Sequence, residues 1–249
     1  MTESKRRLPH AALNPAGRLP KAGKIAALLE LDSNAGGPLR LLEIGTGSGL
    51  IAHYFATRLE LDCEVDAIDV LDQRQITEGY RYQTVTGVEL PFAEGSFDVV
   101  ISNHVIEHVG GADEQLAHLR AMARVLKPGG VAYLATPNRW QLIEPHYRLA
   151  FLSWLPKAWR SRYLRWRKAG DHYDCEPLSM PELESMLRAS GLDYKNVCAD
   201  AIRAMDATEP RRNGSIILAS RIPGSWIHAL RRFSPTHVYL LRPSGVPRG

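Results

Sequence analysis

Leu41-Leu42-Glu43-Ile44-Gly45-Thr46-Gly47-Ser48-Gly49 passes from a short, mainly apolar run into three glycines spaced two apart. Leu41 to Ile44 reads as a buried strand, and Leu50 to Leu59 carries apolar residues at helical spacing. Glycines at such a joint let the backbone turn tightly and approach a ligand closely, because no Cβ intervenes. A second strand is expected over Cys63 to Val70, which makes the stretch the start of a βαβ unit. It ends at Asp69, about 20 residues after the glycines, where Rossmann-type folds set a carboxylate against ribose hydroxyls. A nucleoside ligand is expected. Leu50 stands where a dinucleotide fingerprint wants its third glycine, which disfavours nicotinamide cofactors. No Lys-Ser or Lys-Thr follows, which excludes a Walker loop.

Upstream, residues 1 to 20 hold Pro9, Pro15 and Pro20 with little periodicity, and read as an irregular arm before a helix at Lys21 to Leu31. A turn from Asn34 to Pro38 should end that helix. Downstream, Phe97 to Ser102 has the continuous apolar run of a strand buried on both faces. An amphipathic helix should follow, burying Leu116, Leu119, Met122 and Leu126 and stopping at Lys127-Pro128-Gly129-Gly130. Val131 to Thr136 reads as the next strand. From Arg139 to about Asp174 tryptophans, tyrosines and arginines replace the alternating pattern, which marks an insertion. A helix resumes at Pro181 to Ala189, with Ser179 as N-cap and Gly191 as C-cap. Trp226 to Phe233 reads as helix, Thr236 to Leu241 as strand, and Ser215 to Ala219 as either. The expected organisation is one α/β domain over 21–249 behind the 1–20 arm, with 139–174 inserted as a lid over the substrate.

Composition narrows the class. With 249 residues, 45% hydrophobic and 23% charged, the chain can bury a full core and lacks the profile of a disordered protein. A net charge of +4 fits an anionic ligand, an acidic lipid surface or RNA without choosing among them. Cys63, Cys175 and Cys198 form no CxxC pair, which argues against a disulfide framework or a structural zinc site and for a reducing compartment. No secretory leader or apolar run long enough to span a membrane is legible, so a cytoplasmic location is expected.

The sequence resembles the class I S-adenosylmethionine-dependent methyltransferases, in particular the ubiquinone and menaquinone methyltransferase-like (type 11) group. Glu43-x-Gly45-x-Gly47-x-Gly49 is similar to their first motif and Asp69 to their ribose-binding acid. Leu90-Pro91-Phe92 with Ser96-Phe97-Asp98-Val99-Val100, and Leu126-Lys127-Pro128-Gly129-Gly130, are similar to two later motifs, so the likeness covers residues 41 to 136. It implies a Rossmann-like, seven-stranded, mostly parallel sheet with helices on both faces, and S-adenosyl-L-methionine above the strand ends. It places Glu43, Gly45, Thr46, Gly47, Gly49, Asp69, Val70, Thr86, Gly87, Val88, Ser102 and Asn103 at the cofactor. One departure is Thr86, which stands where relatives carry an acid against the adenine amino group. Thr86 keeps an acceptor oxygen; Gly87 or Val88 backbone, or Glu89, are the alternatives.

Methyl transfer from a sulfonium is an in-line displacement governed by positioning, and an oxygen acceptor of high pKa also needs a base. His104, Glu107 and His108 follow the fourth strand, and in a helix the two histidines would share a face at i, i+4. His104 is the first candidate base, His108 belongs to the same set, and His146 in Glu144-Pro145-His146-Tyr147 is the second candidate. The competing reading makes Glu107 a cap or ion-pair partner and His108 a packing residue. No third ligand accompanies His104 and His108, so no metal is expected. The expected substrate is a small-molecule or lipid-linked acceptor, methylated at oxygen; an RNA methyltransferase or a non-catalytic cofactor-binding protein is the alternative.

Within the insertion, Leu149 to Lys168 sets Leu155, Trp159, Tyr163 and Trp166 at helical spacing among basic residues, with Pro156 as helix start. Trp beside Arg is the composition of an interfacial helix, which would give peripheral contact with the inner face of a membrane through 149–168. The competing reading packs the rings on the core and leaves the arginines in water. Nucleic acid is not favoured, since no RNA-binding module is appended. The oligomeric state is not encoded in any of these patterns.

Overall fold

The first glycine joint lies where expected, at the end of β1 (Leu39–Ile44) and before α2 (Leu50–Thr57). The computed structural model describes residues 15–31, 37–59, 61–208 and 220–245. Around β1 lie β2 (Cys63–Asp69), β3 (Arg81–Thr84), β4 (Phe97–Asn103), β5 (Leu126–Pro137), β6 (Leu192–Asn196) and β7 (Thr236–Pro243), in the order β3-β2-β1-β4-β5-β7-β6. β1 runs parallel to β2 and β4, β3 to β2, and β5 to β4, while β7 is antiparallel to both β5 and β6.

Alternate residues of the central strands enter opposite cores. Leu41, Val99, Ile101 and Tyr133 face α1 (Pro15–Leu29), α2 and α6 (Cys198–Thr208) through Ile25, Phe55 and Ala201. Leu42, Val100, Ala132 and Leu134 face α3 (Ala112–Val125) and α5 (Met180–Ala189) through Leu119, Met122, Leu183 and Leu187. Burial on both sides is why these strands read as continuous apolar runs. The result is the expected Rossmann-like sandwich with helices on both faces, and the sheet order reverses between β1 and β4, where open α/β sheets leave a crevice. Of the remaining helices, α4 (Lys157–Trp166) lies within 139–174 and α7 (Gly224–Leu230) precedes β7.

Several expectations need correction. Residues 15–20 are not an irregular arm: α1 starts at Pro15 and passes through Pro20, held by Ala22, Ile25, Leu28 and Leu29 against the sheet. Tertiary packing overrides the proline penalty here, and Thr208 of α6 donates to the Pro20 carbonyl at 3.4 Å. The helix ends at Leu29, with Glu30 at φ 45. The turn expected from Asn34 falls largely outside the described residues, as do the segment Ser215–Ala219 and residues 1–14 of the arm. Leu126 belongs to β5 rather than to α3, and the Lys127–Gly130 turn lies within that strand, at a register shift between Phe97 and Val99. On α3 the buried polar residues are Gln115 and His118, in place of Leu116. Gln115 ties two loops by donating to the carbonyls of Ile106 (3.2 Å) and Glu176 (2.8 Å).

Two strands, β3 and β6, and helix α6 escaped the sequence reading. β3 and β6 are sheet edges with largely exposed side chains, so neither carries the apolar pattern of a strand. In α4 the buried residues are Arg160 and Leu164, while Trp159 and Trp166 are 60% and 74% exposed. Pro156 does open that helix. Ser179 caps α5 as expected, with Glu182 Oε2 accepting from Ser179 N at 2.8 Å, while the C-cap is Ser190 and Gly191 follows it at φ 75.

Candidate functional site

The joint after β1 depends on glycine. Gly45, Gly47 and Gly49 have φ of 71, 54 and 79, a region that L side chains rarely adopt. A Cβ at Gly45 would lie 2.5 Å from Val105 Cγ2, and one at Gly49 would strike the Tyr80 hydroxyl and the Ile76 carbonyl. Beneath the turn, the buried Glu43 accepts from Thr46 Oγ1 (2.6 Å) and from Ala52 N (2.9 Å), bracing the loop against the first turn of α2. Burial pushes its carboxyl up to about 7, against the pull of the Thr46 bond and the Arg18 charge.

Asp69, at the end of β2, meets the loop directly. Its Oδ2 accepts from Gly47 N at 2.8 Å and its Oδ1 from Val70 N at 2.7 Å. From the other side, Arg18 of α1 donates through Nη1 to the Thr46 carbonyl at 3.2 Å. Burial lowers the Arg18 pKa, while Glu43 and Asp69 favour its charge. Arg18 was missed because residues 15–20 read as irregular, and Lys21, placed at the start of the expected helix, carried no sign of the site.

These groups open onto a cavity of about 600 Å³. Gly45, Gly47, Asp69 and Val70 line it, with Gly87 and Val88 beyond β3, Asn103, His104 and His108 after β4, and His146 from the insertion. Arg18 and Lys21 complete the wall near the loop. The other residues assigned to the cofactor lie off the lining: Glu43 and Thr46 brace the loop from below, Gly49 packs on Tyr80, and Thr86 is exposed. Ser102 is buried with its Oγ 3.1 Å from His118 Nε2, and burial holds His118 neutral with its pKa down at about 4. The cradle that no Cβ could enter, with a carboxylate beside it, fits a nucleoside cofactor.

The wall after β4 is built from imidazoles and carboxylates. His104 and His108 do not share a helix face: His104 has φ 59, and only Ile106–His108 form a 3-10 turn. Both nevertheless face Glu107, whose Oε1 lies 3.4 Å from His104 Nδ1 and 4.0 Å from His108 Nε2. Burial raises the Glu107 carboxyl, but His104 and His108 outweigh it and the net direction is down. Thr136 Oγ1 also donates to Glu107 Oε2, at 3.2 Å. His146 Nδ1 stands 2.7 Å from Oε1 of the buried Glu144. Burial opposes the charged ring, yet Glu144 raises the His146 pKa overall. The His108 and His146 rings meet edge to face at 5.0 Å, and the buried Cys175 lies behind them. Cys175 was noted in the sequence only as unpaired; nothing in its spacing announced this position.

Fold and site together define an α/β enzyme that binds a nucleoside cofactor above its strand ends. The family model for a methyltransferase domain matches residues 42–134. A ubiquinone biosynthesis O-methyltransferase of Brucella anthropi is 33% identical over 178 residues, covering 68% of this chain and 67% of that protein. One from Cereibacter sphaeroides is 32% identical over 182 residues, covering 68% of each. Among solved structures, a methyltransferase complexed with its activator from Haloferax volcanii aligns at TM-score 0.56 and 16% identity, over 97% of this chain and all of that one. The geranyl diphosphate C-methyltransferase of Streptomyces coelicolor aligns at 0.51 and 18% identity, over 90% and 79% of the two chains. The chain belongs to the class I S-adenosylmethionine-dependent methyltransferases, in the ubiquinone methyltransferase-like group. It is a methyltransferase whose cofactor is S-adenosyl-L-methionine.

Proposed function

We propose that this enzyme methylates an oxygen of a small aromatic acceptor that carries a lipid tail, with His104 as the base. One observation carries the reading: the His104 imidazole, backed by Glu107 at 3.4 Å, lines the same cavity as the glycine loop and Asp69. The names of the relatives, ubiquinone biosynthesis O-methyltransferases, support an oxygen acceptor of that kind.

S-adenosylmethionine supplies an electrophilic methyl group on a sulfonium. In this reading Asp69 holds the ribose hydroxyls, Gly45 and Gly47 allow close approach, and Gly87 and Val88 flank the adenine. Asn103 lies on the methionine side, where Arg18 and Lys21 meet the carboxylate. With Nδ1 turned to Glu107, His104 would take the acceptor proton on Nε2 as the acceptor oxygen displaces the sulfonium, whose methyl–sulfur bond breaks to leave S-adenosylhomocysteine, and would then pass that proton to water. His146, ordered by Glu144, and His108 position the acceptor from the same wall.

Residues 139–174 serve as the lid, since Pro145, His146, Arg148 and Asp174 contribute to the cavity wall. Their outer surface favours a lipid-linked acceptor. Seven of the thirteen large apolar side chains exposed among the described residues lie in 139–168, including Trp140, Phe151, Trp159 and Trp166. Tryptophan is ordinarily well buried, and rings beside arginines suit lipid headgroups. No helix among the described residues is long and apolar enough to cross a membrane, so contact would be peripheral.

The test is methyl transfer from labelled S-adenosylmethionine to a prenylated vicinal diphenol. His104→Ala should lower kcat by about 10²–10³ with cofactor affinity unchanged, and recover in part at alkaline pH, where the phenol ionises unaided. Full activity in the variant, or label found only on carbon or nitrogen, contradicts the proposal.

A further inference from the structure

We infer that His108, His146 and Cys175 form a three-ligand site for a zinc-type divalent cation on the acceptor side of the cavity. The residues come from three separate segments: the turn after β4, the first part of the insertion, and the stretch after it. One ligand atom from each lies within 4.8 Å of the other two. Cys175 Sγ is 3.6 Å from His108 Nδ1, and it meets the His146 ring on its Nδ1 edge at 3.9 Å. In a tetrahedral zinc site, bonds of about 2.0–2.3 Å place neighbouring ligand atoms roughly 3.3–3.6 Å apart. The His108–Cys175 pair already stands at that spacing.

The chemistry of the set selects the ion. Two imidazoles and a thiolate suit zinc or cobalt, whereas magnesium and calcium require oxygen ligands. Cys175 would bind as thiolate, releasing its proton to water when the metal enters. Glu144, 1% exposed, lies 2.7 Å from His146 Nδ1, so that nitrogen keeps the carboxylate and the ring binds the ion through Nε2. Three protein ligands leave a fourth position, and His108 and His146 both line the cavity, so that position opens toward substrate. An acceptor oxygen placed there would lose its proton more readily. That last role rests on the oxygen-acceptor reading; the ion site itself does not.

The experiment uses the full-length enzyme, stripped with a chelator and titrated with cobalt(II). S-adenosylhomocysteine binding is measured on the same samples as a check of fold. One cobalt per chain is expected, with the strong visible bands of a tetrahedral ion and a thiolate-to-cobalt charge-transfer band, both displaced by zinc. Cys175→Ser should abolish the charge-transfer band, and His108→Ala or His146→Ala should weaken binding at least tenfold. Cys63→Ser and Cys198→Ser should leave the band in place. Failure of cobalt to bind stoichiometrically while the cofactor product still binds overturns the site and leaves the methyltransferase reading standing. A charge-transfer band that survives in Cys175→Ser also overturns it.

Discussion

Asp69 and Arg18 reach the glycine loop from opposite directions, and only one of them was legible in the sequence. Asp69 follows from position, because a βαβ unit fixes where the second strand ends. Arg18 sits among prolines that suggest no helix, and it reaches the site only because α1 packs its apolar face on the sheet. If it binds the cofactor carboxylate, Arg18→Ala should weaken S-adenosylhomocysteine roughly tenfold or more. It should leave 5′-methylthioadenosine, which lacks that carboxylate, unaffected. Equal losses for both ligands in a calorimetric titration would contradict the assignment.

At the same scale, His237 on β7 is fully buried, and neither ring nitrogen has a hydrogen-bond partner among the described residues. Burial lowers its pKa to about 4, from 6.5. The folded protein therefore binds this proton less readily than the unfolded chain does. The resulting stability is complete above pH ~6.5 and is lost as pH falls toward 4, by an amount on the order of 3 kcal/mol. Denaturant unfolding at pH 7 and pH 4.5 should show that loss, and His237→Phe should reduce it. Identical pH slopes in the two proteins would rule His237 out as the cause.

Elements were legible in proportion to their burial. β1, β4 and β5 are apolar on both faces and stood out, whereas the edge strands β3 and β6 expose polar residues and did not. The α3 helix was found by its period, but its buried Gln115 and His118 serve hydrogen bonds to neighbouring segments that no local pattern records. In α4 the aromatic spacing was visible, yet Arg160 is buried beside Leu164, donating to the Leu155 carbonyl at 2.8 Å and to Glu176 at 3.3 Å. The exposed Trp159 and Trp166 supply the prediction at this scale: the protein should float with anionic liposomes, and Trp159→Ala with Trp166→Ala should reduce the bound fraction several-fold. With both rings at the surface, the fold should survive the change. No flotation, or flotation unaltered by the pair, would remove the membrane from the account.

Across the whole molecule, the sheet order reverses between β1 and β4, and the cavity sits above that reversal. The glycine loop and Asp69 are legible in the sequence, since a strand-end turn and a strand-end acid keep fixed distances along a βαβ unit, whereas Arg18 and Lys21 on the same wall are not. His104, His108 and His146 stand out one by one in the sequence, but the meeting of His108 and His146 with Cys175 does not, because it brings together segments far apart along the chain. The most direct measurement is calorimetric titration of S-adenosylhomocysteine into the wild-type enzyme and Asp69→Ala. The account predicts one ligand per chain for the wild type and affinity about 30-fold weaker for the variant, the equivalent of two hydrogen bonds of about 1 kcal/mol each. A folded wild-type protein that takes up no ligand at millimolar concentration, or a variant that binds as tightly, would contradict it.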